Sequence, residues 1–238
     1  MNSSASGMGE QVGRSSPGGW SCAAQLCWYE PMTQRVEVGG TTTRQLVESD
    51  RETALDLLEH GLREVPVYRW LIGADAPVEA YRWYGEILFI EYLHGLHGVF
   101  DERGELIALI AVSAPTDEAG RIDEDLKTRT KHQVQAIDGF VHRFTELQRK
   151  SEEAQVAENP IRVIFALVRP DHRRGGTLAG LVDPVIERGR REGLPVTCST
   201  SDEQLSALYA RRWKALVRTE FTLTDGPTVW VQRVDPPV

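Results

Sequence analysis

The order of apolar and polar positions along the chain predicts a mixture of strands and helices. Residues 34–47 alternate between the two classes, as is typical of an opening strand. Residues 49–65 predict a helix with an apolar face, and Ser49 with Glu52 has the spacing of a capping box at its start. A second helix is predicted after Pro77, where aromatic and aliphatic residues recur at helical spacing.

The middle of the chain predicts a hairpin followed by a long helical region. Two apolar segments flank the turn residues 101–104, which predicts two strands joined by a tight turn. Residues 122–158 then carry an apolar stripe between charged flanks, and one long helix or two helices broken near Gly139 both fit it. The members of the stripe are Ile122, Leu126, Ile137, Val141, Phe144 and Leu147.

The last third has the clearest pattern. The segment "IRVIFALV", residues 161–168, is almost continuously apolar, as expected of a central strand buried on both faces. A helix with Pro184 inside it follows. The remaining predicted elements are a strand at 195–200, a helix at 202–213 and a hairpin that turns at Asp225-Gly226.

Composition limits the classes of function. The chain has 238 residues, 41% of them apolar, and a net charge of −8 from 27 basic and 35 acidic residues. An acidic protein of this kind is repelled by nucleic acid and by anionic membrane surfaces, so we expect neither as a partner. Three scattered cysteines and the lack of a long apolar run predict no disulfide framework, no metal site and a cytoplasmic protein without a membrane span.

The first residues differ from the rest. Residues 1–31 are rich in Ser and Gly and have little to bury, which predicts a disordered extension. Residues 32–238 are expected to form a single domain, and Met32 is a hypothetical natural start, which implies that residues 32–238 fold alone.

The segment "VRPDHRRGGTLAG", residues 168–180, carries the candidate chemistry. A strand that enters a helix through a glycine-rich turn leaves backbone N–H groups free to bind an anion, and Gly175 and Gly176 allow close approach. Arg173 and Arg174 supply cationic donors suited to phosphate. A solvated helix entry is the alternative interpretation.

Neighbouring segments make the chain resemble a known family. Val168, Pro170, Arg173 and Gly176 match the loop pattern of the GNAT N-acetyltransferases. Further similarities lie in "EGLPV", "TS", "LY" and "DGPTVW", and within the family the chain is most similar to the relatives of puromycin N-acetyltransferase.

The resemblance implies a fold and a function. The fold is of the α/β (α+β) class: a mixed, largely antiparallel sheet with a splayed strand pair and helices on both faces. The implied function is acetyl transfer from acetyl-CoA directly to the primary amine of a small molecule, with no metal, and Tyr209 as the general acid. The implied cofactor-binding residues are Leu167, Val168, Arg173, Arg174, Gly175, Gly176, Thr177 and Leu178.

Some alternatives stay open. Leu178, Ser199 and Leu205 depart from the family pattern, so a catalytically silent module that binds acyl-CoA or a protein partner is the rival function. An acyltransferase acting on protein amines shares the same cofactor site. Tyr209 also fits an ordinary core aromatic, and residues 187–192 fit either an exposed helix end or a contact for the 3′-phosphate of CoA.

The sequence identifies neither the general base nor the oligomeric state. Glu91, His94 and His97 are candidates for the base, and a water chain is another. Cys198 is interpreted as an apolar filler of a buried strand rather than as a nucleophile. A monomer and a homodimer are both compatible with the sequence.

Overall fold

The computed structural model describes residues 36–38, 40–118 and 120–237, with only the backbone described for 36–38. Its strands are β1 (Val36–Val38), β2 (Thr41–Gln45), β3 (Leu96–Phe100), β4 (Leu106–Ser113), β5 (Ile161–Val168), β6 (Val196–Thr200), β7 (Leu216–Thr222) and β8 (Thr228–Val234). Its helices are α1 (Arg51–Glu64), α2 (Pro66–Ile72), α3 (Val78–Tyr92), α4 (Glu124–Ala136), α5 (Phe140–Glu153), α6 (Thr177–Glu192) and α7 (Glu203–Trp213). The predicted extension, residues 1–31, and Met32 lie outside the described residues.

The strands form one mixed sheet in the order β1-β2-β3-β4-β5-β6-β8-β7. The pair β5–β6 is parallel and every other neighbouring pair is antiparallel. This arrangement confirms the predicted fold class of a largely antiparallel sheet with helices on both faces.

The core consists of two apolar layers, one on each face of the sheet. Helices α1 to α5 cover one face, called the α1 face here, and α6 and α7 cover the other, called the α6 face. Strand β4 is buried between the layers, because its sequence "LIALIAV" supplies apolar side chains in both directions. In the described ranges, no helix is both long and apolar enough to cross a membrane.

A β-bulge divides β5 into two halves. Phe165 pairs with Ala111 and Val163 with the next β4 residue, Val112, so Ile164 has no partner of its own. The parallel pairing with β6 ends at the same point, with the pair Val163 and Cys198. Because a bulge bends its strand, β5 leaves β6 beyond Ile164 while staying paired with β4.

Most elements predicted from the pattern are present. Both predicted hairpins form, with positive φ at Gly104 and Asp225 in their turns. The long helical region is two helices, separated at Gly139 with φ of 68°. The opening strand is a short hairpin, and Val141, assigned to the apolar stripe, is 59% exposed. Helix α2 was not predicted.

The predicted capping box is wrong. The α1 N-cap is Asp50 rather than Ser49, and no side chain caps the helix. The carboxylate of Asp50 instead accepts two bonds of 2.7 Å from Arg44 and one of 2.9 Å from the Val47 amide. A partner from strand β2 therefore displaces the local capping pattern.

The turn between β7 and β8 is tied to the helices of the α1 face. Glu146 of α5 accepts bonds of 2.9 Å from the amide and hydroxyl of Thr224, and Trp70 of α2 donates to the Thr224 carbonyl at 2.9 Å. Lys150, together with Thr224, lowers the pKa of the buried Glu146 carboxyl to about 2. The charged carboxylate is thus stabilised at neutral pH, and the turn is fixed over this face.

We expect the substitution Gly95→Ala to lower the free energy of unfolding by about 3 kcal/mol. A Cβ at Gly95 would lie 1.8 Å from the backbone oxygen of Val112, so β3 and β4 would have to separate. Urea denaturation measures the change. Gly180→Ala is the matched control, since a Cβ there meets nothing within 4 Å; a Gly95 variant as stable as this control would contradict the prediction.

Candidate active site

The gap between β5 and β6 is lined by backbone groups that the sheet leaves unpaired. The Arg169 amide donates to the Ile107 carbonyl at 2.9 Å, so alternate β5 residues up to the bulge bond to β4. The amides of Ala166 and Val168 lie between these and face the side of β6, which has already diverged. These two amides are therefore donors available to a ligand in the gap.

The predicted site residue Leu167 lies outside the gap. Leu167 pairs with Leu109 of β4, and its side chain packs on the α1 face. It lies so close to helix α1 that a Cβ added to Gly61 would be 2.7 Å from the Leu167 side chain. Ala166 takes its place as a gap residue. Ala166 was not predicted from the sequence, because its contribution is a backbone amide and only the bulge determines which amides face the gap.

The loop after β5 leads directly into the exposed start of α6. Gly176 is the N-cap with φ of 89°, and no side chain caps the helix. The amides of Thr177 and Leu178 in the first turn consequently have no intrahelical acceptor. A Cβ at Gly175 would meet only the His172 carbonyl oxygen, at 3.9 Å, so the space beside the loop is open. The arrangement suits an anion.

The two predicted phosphate-binding arginines differ in their environment. The Nε of Arg173 donates to the Val168 carbonyl at 3.0 Å, and its guanidinium forms an ion pair with Glu64 at the end of α1. Arg174 is exposed, has φ of 69° and forms no ion pair with a described residue. Arg174 is thus the cation available at the loop, whereas Arg173 is held at the mouth of the gap.

Tyr209 lies at the closed end of the gap. Its side chain packs in the apolar layer of the α6 face, close enough to Cys198, the last β6 residue paired with β5, for the two groups to interact electrostatically. Burial, with smaller contributions from Cys198 and Asp202, raises the pKa of the Tyr209 phenol. The phenol forms no hydrogen bond with a described residue and carries its proton at neutral pH.

Helix α7 is fixed to α6 close to Tyr209. The Tyr209 and Trp213 rings have centroids 5.6 Å apart. The Trp213 indole donates to Asp183 of α6 at 2.6 Å, and Arg212 forms an ion pair with the same carboxylate at 2.9 Å. The position of Tyr209 therefore depends on contacts between the two helices that flank the gap.

The departures from the family pattern occupy different environments. Leu178 is half-buried and packs against the α6-face layer, whereas Ser199 is exposed and Leu205 half-buried. Arg191 lies 14 residues beyond Thr177, about 21 Å along the helix at 1.5 Å per residue. An anion bound at Thr177 is far from that end, which favours the interpretation of residues 187–192 as an exposed helix end.

The three candidate bases are not brought together. Glu91 lies on the α1 face, at the end of α3, whereas His94 is exposed. His97 alternates with Leu96 along β3 and thus points to the α6 face. Burial lowers the pKa of His97, and its Nε2 has no partner within the described part of the chain. Among residues 40–118 and 120–237, no group of three or more His, Cys, Asp or Glu is placed to hold a metal ion.

Known structures share this fold. No protein-family model and no curated protein matches the chain. A structure described as histone acetyltransferase HPA2 and related acetyltransferase from Corynebacterium glutamicum is 14% identical with a TM-score of 0.60, covering 84% of this chain and 98% of its own. Arylalkylamine N-acetyltransferase 2 from Aedes aegypti is 10% identical with a TM-score of 0.62, covering 84% and 100%.

A third similar structure is the polyamine N-acetyltransferase of Drosophila melanogaster, which forms N-acetylagmatine. It is 16% identical with a TM-score of 0.53, covering 82% of this chain and 99% of its own. The chain therefore shares the fold of these acetyltransferases, which is the fold that the sequence resemblance implies. At these identities the likeness establishes the fold alone.

We expect Cys198 to be unreactive in the folded protein. Burial raises the pKa of its thiol to about 12, so at pH 8 about one molecule in ten thousand carries the thiolate that reacts. In a Cys22→Ser/Cys27→Ser variant, the reaction with a disulfide reagent should be about a thousandfold slower than that of a free cysteine of ordinary pKa. The same variant unfolded in urea is the control, and a fast reaction without urea would contradict this assignment.

Proposed function

We propose that the chain is an acyl-CoA-dependent N-acyltransferase that moves an acetyl group from acetyl-CoA to a primary amine. The observation that carries the proposal is the gap between β5 and β6, which joins three features. The amides of Ala166 and Val168 face it, the uncapped start of α6 lies at its mouth, and Tyr209 lies at its closed end.

The mouth of the gap fits the diphosphate of coenzyme A. The amides of Gly176, Thr177 and Leu178 would donate to phosphate oxygens, with Arg174 as the free cation. Arg173 would donate a further bond once its guanidinium leaves the Glu64 carboxylate and binds a phosphate oxygen instead. Gly175 leaves the space that a phosphate needs beside the main chain.

The interior of the gap fits acyl transfer. An amide of Ala166 or Val168 would donate to the thioester oxygen and stabilise the negative charge that develops on it. The neutral amine attacks the carbonyl carbon, the new C–N bond forms and the C–S bond breaks. Tyr209 gives its proton to the departing sulfur, the nitrogen loses one proton to water, and the Tyr209 phenolate takes a proton back from water, so the products are the amide and free coenzyme A.

The acceptor is proposed to be a small molecule. Two of the similar structures are named for arylalkylamine and polyamine acceptors, which supports this class. The resemblance to puromycin N-acetyltransferase also supports a small-molecule acceptor.

Three further expectations stay predictions: the cytoplasmic location, the single domain of residues 32–238 and the monomeric or dimeric state. The rival function is that of a catalytically silent module. Leu178 favours it, because this large side chain occupies a position where the family pattern has a small residue.

We expect coenzyme A binding to depend on the open space at Gly175. Gly175→Val adds a side chain that the loop tolerates but the diphosphate does not, because it separates the phosphates from the amides of α6. Lost charge-assisted hydrogen bonds should weaken binding at least about tenfold, with the free energy of unfolding changed by less than about 1 kcal/mol. Isothermal titration calorimetry with coenzyme A measures the affinity.

Arg191→Ala is the matched control for this experiment. It removes one exposed charge from the far end of α6 and should leave the affinity unchanged within about twofold. Equal binding by Gly175→Val and the unchanged protein would exclude the loop as the phosphate site. The absence of any heat with the unchanged protein would remove the proposed activity as a whole.

We expect Tyr209→Phe to lower kcat about a hundredfold or more, because the leaving sulfur loses its proton donor. Release of free coenzyme A with a panel of amines is the assay. Tyr81→Phe is the matched control, since the Tyr81 hydroxyl bonds to the Gly73 carbonyl at 2.8 Å within the α1-face layer. Tight coenzyme A binding without turnover by the unchanged protein would support the silent module instead.

A further inference from the structure

A pocket of about 250 Å³ lies between α3, α4 and α5 on the α1 face of the sheet. Aromatic rings form much of its wall, and Glu91 is the single carboxylate among the lining residues, which include no lysine or arginine. The aromatic members are Trp83, Tyr84, Phe140 and Phe144. The pocket is therefore apolar with one acidic group.

The aromatic wall is held in place by its own contacts. Phe140 stacks on Phe144 with centroids 5.8 Å apart and meets Trp83 edge-on at 5.5 Å. The Trp83 indole donates to the Thr130 hydroxyl of α4 at 3.0 Å, which fixes the ring. Such faces attract both an aryl group and a cation.

Glu91 adds charge complementarity to this wall. Three phenols surround it, and its negative charge acts on each: besides burial, it raises the pKa of Tyr68, Tyr84 and Tyr92. A protonated amine is the ligand that a carboxylate in an aromatic pocket prefers, because the carboxylate supplies the charge-assisted bond and the rings supply the apolar contact.

The pocket lies on the face of the sheet opposite the one that holds Tyr209. The bulge residue Ile164 packs in the α1-face layer with Tyr68 and Tyr84, opposite the face that holds Tyr209. The amide of Val67, next to Tyr68, donates to the Ser201 hydroxyl at 3.0 Å, directly after β6. The α1-face layer thus reaches β5 at Ile164, and α2 is tied to the end of β6 by the bond between Val67 and Ser201.

We propose that this pocket binds the acceptor and selects an amine with an aryl body, whose ammonium group is held by Glu91 until it gives a proton to water and becomes the neutral nucleophile. The assignment of this ligand as the acceptor rests on the proposed function. The binding itself does not, because it needs no acyl donor.

The test is the binding of phenethylamine without acetyl-CoA, measured by calorimetry and by the change in intrinsic tryptophan fluorescence, to which Trp83 of the pocket contributes. Phenethylamine should bind saturably, and phenethyl alcohol, with the same ring and no charge, at least tenfold more weakly. Glu91→Gln should lower the phenethylamine affinity at least tenfold and leave that of the alcohol within twofold. The control is Glu79→Gln, at the exposed start of the same helix, which should change neither.

A second variant tests the place of binding. Val141 lines the pocket and is 59% exposed, so Val141→Trp should fill the entrance without unfolding the chain and abolish binding of both ligands. Val47→Trp, at a valine that is 52% exposed elsewhere, is its control. No binding by the unchanged protein, or equal binding by Glu91→Gln, would overturn the proposal.

Coenzyme A binding, measured separately, distinguishes the two hypotheses. If the protein binds coenzyme A but not phenethylamine, the pocket proposal is overturned and the proposed function stays intact. If the protein binds phenethylamine in a manner that depends on Glu91 but does not bind coenzyme A, the pocket is confirmed and the proposed function is overturned.

Discussion

The divergence of β5 from β6 at Ile164 creates the gap on which the proposed active site depends. Strand β5 stays paired with β4 on one side, and β6 stays paired with β8 along its whole length, so neither strand can move to close the gap. Because the bulge adds one residue to β5, it shifts by one position which β5 amides bond to β4. The amides of Ala166 and Val168 therefore face away from β4 and into the gap. A backbone donor left without a partner costs about 1–3 kcal/mol when buried, so these amides require water or a ligand.

The same divergence explains why the loop and Tyr209 border one gap. Helix α6 follows β5 and helix α7 follows β6, and the two strands are parallel. Both helices therefore begin at the same edge of the sheet, beyond the carboxyl ends of the diverging strands, where open α/β sheets bind ligands. The contacts of Asp183 with Trp213 and Arg212 then hold the helices to one another. The proposed anion site and the proposed proton donor are thus set at two ends of one gap.

How far the sequence predicts this structure depends on whether a feature is local. The apolar runs of β4 and β5, the hairpin turns and the glycine-rich loop are encoded within a few residues, and the pattern predicts them. The N-cap at Asp50 and the ion pair of Arg173 depend on partners distant in sequence, Arg44 and Glu64, so local patterns cannot reveal them. Ala166 has no side-chain chemistry at all, and only the ladder of hydrogen bonds identifies it.

The two faces of the sheet have different chemistry, and this follows from what covers them. On the α6 face, α6 brings its uncapped start and α7 brings Tyr209 to the gap. On the α1 face, Glu146 and Trp70 tie the β7–β8 turn to α5 and α2, which covers the sheet beside β6. The aromatic residues of this face, among them Tyr68 and Tyr84, pack in one layer with the bulge residue Ile164. Under the proposed function, the donor would reach the bulge from the α6 face and the acceptor from the α1 face, and the gap would hold the two reactants close together.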